Sequence, residues 1–335
     1  MQEKWQTLLV REALIDAVRL FFKSNSFHEV ETPLLVECAD PEPSIEPFST
    51  SLIQASDSYR GYLTTSPEFS MKKLLARGSG NIFQICKSFR NAEPVSSRHN
   101  PEFTILEWYR VNANYKDIMA DCENLFRFIA GYLEERELFV PIKCDLQSSW
   151  ERISVSEAFQ KYAGIDETTL HDQEKFKFRA VEKGYQVESQ TTFQEVFDQI
   201  LVNEIEPELG KSTPSILYDY LAPQAALAKK KSSDPRYAER FEFYINGIEL
   251  GNAFSELTDS KEQLARFEAQ NKVRHSEGRP EMKIDMDLVN SLDNLNQELG
   301  GIAVGVDRLV MLFSGIEDIR ETLAFSARDV FSLDE

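Results

Sequence analysis

Cysteine and histidine are scarce in this 335-residue chain, with four of each. Cys38, Cys86, Cys122 and Cys144 stand far apart with no close-spaced pair, which argues against a disulfide framework or a zinc site. The simple reading is reduced thiols in a cytoplasmic protein. Long apolar runs are missing too. No stretch approaches the roughly 20 residues that a membrane span requires, and Met1-Gln2-Glu3-Lys4-Trp5 lacks the basic-then-apolar start of a secretory signal. Positive charge is the third shortage: Lys plus Arg is 37 against 56 Asp plus Glu, a formal net charge of −19. A surface that acidic repels phosphate backbones at long range and counts against non-specific nucleic-acid binding. Neither a G-x-x-x-x-G-K-[ST] loop nor a convincing dinucleotide fingerprint is present, so the familiar phosphate-cradling loops are excluded. With no internal repeat and no low-complexity linker, one compact domain over residues 1–335 is the expectation.

What is present alternates between helical and strand-like patterns. Leu8, Leu9, Val10, Leu14, Ile15, Val18, Phe21 and Phe22 form a helical stripe, and a short strand then ends at Pro33. Residues 38–60 are polar and proline-rich and read as a surface excursion. Ser66-Pro67-Glu68 opens a helix that closes at Gly78, with serine as cap and proline in the first turn. Strands are expected over residues 81–89 and 102–109, helices over 115–140 and 260–275, and a charged helical insertion over about 154–210. A hairpin spans 236–251, and a glycine-rich strand-to-helix turn runs from Gly300 to Phe313. The pattern is α+β, an antiparallel sheet flanked by helices, and not alternating βαβ.

Four features could carry chemistry. In the hairpin, Asn246-Gly247 is a type I′ turn signal, which sets Tyr244 opposite Glu249 and Glu242 opposite Gly251. Glu242 and Glu249 then share a face as diagonal neighbours, roughly 7–8 Å apart at Cα. That spacing suits a hard cation such as Mg²⁺, although a solvated face would look the same. On the strand from Glu102, Phe103, Ile105, Glu107 and Tyr109 share one face, and Thr104, Leu106 and Trp108 the other. Both faces are largely apolar, so the strand reads as central, and Glu107 would be expensive to bury without a cation from a ligand or from an internal lysine or arginine. Arg90 at a strand end, with Arg98 and His99 across a polar loop, could clamp phosphate oxygens or simply face solvent. Small residues from Gly300 to Gly305 allow close backbone approach to a ligand, and tight helix–strand packing explains them equally well.

In order along the chain, these segments carry a resemblance. Phe89-Arg90-Asn91, His99-Asn100-Pro101-Glu102-Phe103-Thr104 and Glu107-Trp108-Tyr109 resemble motif 2 of class II aminoacyl-tRNA synthetases of the lysine type. Gly305-Val306-Asp307-Arg308-Leu309 resembles their motif 3, the segment ending at Pro33 a loose motif 1, and Glu249 to Leu257 the lysine-site strand. The segment ahead of motif 1 is too short for an OB-fold anticodon-binding domain. Together with Thr65-Ser66-Pro67-Glu68 and with Ala303 where the synthetases place glycine, this makes the chain similar to the elongation factor P–(R)-β-lysine ligase family, stand-alone paralogues of the lysyl-tRNA synthetase catalytic domain.

The resemblance implies ATP-dependent activation of (R)-β-lysine or lysine as an adenylate, then transfer to a lysine of elongation factor P. Arg90 would hold the α-phosphate and the incoming carboxylate, and with Arg308 would be catalytic. His99 and Arg308 would contact the outer phosphates, and Phe103 would stack on adenine. Asn91, Glu93, Asn100, Glu249, Leu250 and Gly305 would complete the ATP site, with Glu242 and Glu249 on Mg²⁺. Glu107, Tyr109 and Glu256 would surround the distal ammonium, while Ser66, Pro67, Glu68 and Asn252 would bind the amine and carboxylate end, and Ala303 would help to set amino-acid choice. A homodimer built on motif 1 is implied as well.

Hairpin parity points Asn252 away from Glu242, so a strand end or bulge at Gly251 is expected. Two departures from the family pattern stand out. Ala92 occupies the position where motif 2 has glutamate, with Glu93 next and the loop one residue longer, and Gly251-Asn252-Ala253 replaces the usual Ala-Asn-Gly of the ligases. The alternatives are a truncated lysyl-tRNA synthetase or an amide-forming paralogue, and a non-catalytic regulator. The acidic balance counts against tRNA, and Lys229-Lys230-Lys231, the only tight basic run, reads as a solvated loop ahead of a docking patch.

Overall fold

The structure is a computed structural model that describes residues 2–225 and 227–331. These residues form two compact units, one from the described residues up to 142 together with those from 255 onward, and the other from those between 143 and 254.

The first unit is built on the helix Gln2–Ser24, whose apolar stripe buries Val10, Leu14, Val18 and Phe22. Phe22 stacks on Phe83 with ring centroids 4.9 Å apart and meets Trp108 at 5.0 Å. These rings anchor the helix on the strands Ile82–Phe89 and Glu102–Val111, which pair antiparallel. The expectation of a central strand holds, since Glu102–Val111 lies between Ile82–Phe89 and Leu299–Gly305. The helix Tyr115–Glu134 starts on a capping box at Asn114 and Asp117 and buries Ile118, Cys122, Phe126 and Ile129.

Two sheet features differ from the purely antiparallel expectation. His28–Glu29 pairs parallel with Ile82–Phe89 in the first unit, and Glu151–Ser154 pairs parallel with Ser215–Tyr218 in the second. Both additions are short strands reached through crossovers of many residues, the connection that parallel pairing needs. The segment expected as a surface excursion contains a hairpin, Ser49–Gln54 with Asp57–Leu63, joined by Leu35–Val36. Its strands are exposed over most of their length, so they lack the apolar alternation by which strands are read. Arg274, fully buried on the helix Ser260–Ser276, holds the front of this segment by an ion pair to Glu46 at 2.8 Å and a bond to the Ile45 carbonyl.

In the second unit the helical insertion is present as short helices from Val155 to Glu208 around Phe159, Phe176, Phe197 and Ile200. The hairpin consists of Arg240–Ile245 and Ile248–Ser255, and Asn246 and Gly247 both take positive φ, as a type I′ turn demands. The register shifts between Glu249 and Gly251, so Gly251 pairs with Phe243 and Asn252 with Glu242. This is the expected bulge. It corrects the pairing of Glu242 with Gly251 and brings Asn252 onto the carboxylate face. All four cysteines are free thiols, as their spacing suggests.

Candidate active site

The candidate site of the first unit grows from the alternation of the strand Glu102–Val111. Its cross-strand partners place Ala303 opposite Glu107 and Gly301 opposite Tyr109, all on one face. Glu107 and Tyr109 are almost completely buried. Ser66, just ahead of the helix Glu68–Ala76, accepts the Glu68 N–H at 3.1 Å and donates to Glu107 Oε1 at 2.6 Å. Pro67 is the cap position of that helix, in place of the expected serine, and Ser66 still satisfies one of its free N–H groups. Tyr109 Oη donates to Glu107 Oε2 at 3.2 Å. No lysine or arginine among the described residues forms an ion pair with Glu107. Burial, with Glu68 next, pushes its carboxyl up to about 8, against the pull of the Ser66 and Tyr109 hydrogen bonds.

The internal cation that sequence reasoning considered for Glu107 lies elsewhere. Lys72, missed by the sequence reading and 2% exposed, bridges Glu68 Oε1 at 2.6 Å and Glu256 Oε2 at 2.5 Å. The signal available was a lysine four residues after Glu68, between Met71 and Leu75 on the buried face of the helix. Desolvation opposes its charge, but the two carboxylates outweigh that and keep it protonated. Glu256 therefore meets a protein ammonium from one side and keeps Oε1 beside Gly301 on the other.

The two glycines at the start of the strand Leu299–Gly305 have separate causes. A Cβ on Gly300 would stand 2.6 Å from Ile118 on the packing helix. On Gly301 it would collide with the Glu256 carboxylate and lie 2.5 Å from Tyr109 Cε1. Tight packing against the helix and close approach to Glu256 and Tyr109 are thus both present, one residue apart.

Around motif 2, Arg90 lies over the Phe103 ring with its guanidinium carbon 5.2 Å from the centroid, and Glu93 folds back toward it at 3.8 Å. Ala92 takes φ +61°, so the extra residue of the loop is absorbed in a left-handed turn, and Asn91 accepts its N–H at 2.9 Å. Arg308, from the helix Val306–Ser314 that follows Gly305, donates from Nη2 to His99 Nε2 at 3.2 Å. Arginine can only donate, so Nε2 is an acceptor and a neutral ring carries its hydrogen on Nδ1, 3.4 Å from Ser96 Oγ. Burial and then Arg308 lower the His99 pKa, which agrees with a neutral ring. Asn100 has both ends of its amide engaged by backbone, Nδ2 by the Glu102 carbonyl and Oδ1 by the Ala327 N–H. These bonds hold the loop and use one of the two N–H groups and one of the two oxygen lone pairs of the amide. Asp307 accepts the Thr104 N–H at 2.7 Å and pairs with Arg11 at 2.5 Å, locking motif 3 to motif 2 and to the first helix.

In the second unit, Glu242, Glu249 and Asn252 share the hairpin face, and Leu250 is the buried residue at the bulge. Glu242 Oε1 accepts from Arg240 at 2.5 Å and Oε2 from Tyr220 and Tyr244 at 2.6 Å each, while Arg240 also donates to Asn252. A carboxylate offers about four lone-pair sites, so Glu242 retains one on Oε1. Two oxygen donors of this kind fit Mg²⁺, which takes one or two carboxylates and completes its shell with phosphates and water. Among the described residues no larger group of metal-ligating side chains gathers. Of the lysine run, Lys231 pairs with Asp219 and Lys229 approaches Glu239 at 3.9 Å, which agrees with a surface loop.

The family model described as tRNA synthetases class II (D, K and N) matches residues 1–329. The elongation factor P–(R)-β-lysine ligase of Pasteurella multocida is 39% identical, covering 97% of this chain and 98% of its own. The ligases of the same name from Avibacterium paragallinarum and Yersinia enterocolitica are 40% and 38% identical, over 96% and 95% of this chain and 95% and 94% of theirs. No helix is long and apolar enough to cross a membrane among the described residues. The chain belongs to the elongation factor P–(R)-β-lysine ligase family of the class II tRNA synthetases.

Proposed function

We propose that this chain is an ATP-dependent ligase that activates (R)-β-lysine, or lysine, as an aminoacyl-adenylate and passes the acyl group to a lysine side chain of elongation factor P. The observation that carries this reading is Glu107, a carboxyl group buried on a central strand whose bonds come from Ser66 and Tyr109 and, among the described residues, from no lysine or arginine. An apolar or anionic substrate would leave it uncompensated; a substrate ammonium satisfies it. In the first step the amino-acid carboxylate attacks the α-phosphorus, the bond to the β-phosphate breaks, and pyrophosphate leaves. Arg90, held over Phe103, stabilises the charge that builds on the phosphorus oxygens. His99 and Arg308 take the outer phosphates, the neutral ring as a donor and the guanidinium as the cation. Glu242 and Glu249 are proposed holders of Mg²⁺, which when bound neutralises phosphate charge. In the second step the acceptor amine attacks the acyl carbon, and AMP leaves.

The test is mass spectrometry of elongation factor P incubated with this protein, ATP and each lysine isomer. A gain of one lysyl residue is expected with (R)-β-lysine or lysine, and an unmodified acceptor with both would end the proposal. The pH dependence is a second check. An ammonium against Glu107 favours its ionised form, so binding below about pH 8 must expel a proton. KM for the amino acid is therefore expected to fall as pH rises and to level off above about 8, the slope approaching about tenfold per unit on the acid side. Glu107→Gln should weaken binding and abolish that slope. A slope that survives the substitution would assign the proton elsewhere.

A further inference from the structure

A cavity of about 450 Å³ in the first unit shares Ser66 and Glu68 with the candidate site and is lined as well by Cys38, Asp40 and Asp285. Glu107, Tyr109 and Glu256 do not line it, so it is an extension of the amine and carboxylate end and separate from the distal ammonium site. Most of its charges cancel within its walls. Lys73 pairs with Asp285 at 2.7 Å, Lys283 pairs with Glu37, and Glu68 holds Lys72 at 2.6 Å. Besides Asp287, which is exposed, Asp40 is the exception. Half-buried beside these pairs, it accepts the Glu42 N–H at 3.0 Å and has no lysine or arginine partner among the described residues. Burial, followed by repulsion from Glu42 and Glu68, pushes its carboxyl up to about 7. Lys72 acts on Asp40 by its charge but makes no ion pair with it among the described residues, and a half-buried carboxylate left so is costly unless a ligand brings a cation.

We propose that Asp40 binds a primary ammonium at the reactive end of the site, the amine of the amino acid itself or that of the acceptor lysine. This rests on the ligase reading, because that reaction brings two amines to the activated carboxylate. The cavity is lined by Ser66 and Glu68, the residues that the ligase reading gives to the amino-acid amine. A carboxylate in a partly desolvated site holds an ammonium by a charge-assisted bond that an amide cannot replace.

The experiment compares the unsubstituted protein, Asp40→Asn, which keeps an acceptor for the Glu42 N–H, and Asp287→Asn, a control carboxylate on the cavity rim. Each is measured in amino-acid-dependent ATP–pyrophosphate exchange and in single-turnover transfer from the preformed adenylate to elongation factor P. If the amino acid's own amine is bound, Asp40→Asn raises its KM in exchange by about tenfold with kcat kept. If the acceptor amine is bound, exchange is unchanged and transfer slows by about tenfold. Both rates within about twofold of the unsubstituted protein, or equal losses in Asp287→Asn, overturn the proposal. Asp40→Glu, which keeps the charge, should retain more activity than Asp40→Asn, and the reverse order would also overturn it. No exchange by the unsubstituted protein would instead refute the ligase reading on which this rests.

Discussion

Gly301→Ala is expected to abolish amino-acid-dependent pyrophosphate exchange while the protein still unfolds cooperatively. The added methyl would overlap the Glu256 carboxylate and stand 2.5 Å from the Tyr109 ring, closer than real Cβ atoms come. Neither neighbour can yield cheaply. Tyr109 is 2% exposed, and Glu256 is tied to Lys72 at 2.5 Å. The displaced group must move by about an ångström, a shift that costs about 100-fold in rate when it misplaces a bound substrate. Exchange kinetics would measure the loss in kcat/KM, and a scanning calorimeter the fold. Gly300→Ala serves as the contrast, because its methyl meets Ile118 on the opposite face and should lower stability first. Retention of more than about a tenth of kcat/KM in Gly301→Ala would show that this face of the pocket is not where the amino acid sits.

Arg308→Ala carries the second large effect, a loss of about 100- to 1,000-fold in adenylate formation, the range for removing one preorganised donor to a transition-state charge. The guanidinium leaves the first turn of the helix Val306–Ser314 and meets His99 Nε2 at 3.2 Å. Its removal takes away a cation and also the group that orients the imidazole. His99 cannot replace that charge, since burial and its cationic neighbours hold its pKa below the usual range. Lysine at this position restores a charge without the planar fork, so Arg308→Lys should recover part of the loss. Pyrophosphate exchange at saturating amino acid reads the effect, and an unchanged rate would discard the motif 3 assignment.

How much of this was legible beforehand depended on whether the signal was local. The alternation of Phe103, Ile105, Glu107 and Tyr109 sets their common face through strand geometry alone, and the ladder with Ala303 and Gly301 agrees with it. Asn246-Gly247 likewise specifies its turn from the preference of the two residues for positive φ. Even the bulge at Gly251 followed from a local conflict, between the parity of the hairpin and the place that the family pattern gives to Asn252. The exposed hairpin Ser49–Leu63 escaped notice because a strand with two solvated faces carries no apolar period.

Partnerships between distant residues were another matter. Lys72 reads as one more cation on a helix until the fold brings Glu256, 184 positions away, to its ammonium. Asp307 and Arg11 are 296 residues apart, and Asp40 stands beside Glu68 only because the segment after Pro33 folds over the pocket wall. By itself the sequence determined the element types, the strand faces and the residue kinds available for chemistry, since these follow from short-range sterics and from periodicity. Only the tertiary structure decided which carboxylates are neutralised from within and which, like Glu107, have only hydroxyl donors beside them. That choice depends on burial and on separations of a few ångströms, which no spacing along the chain encodes.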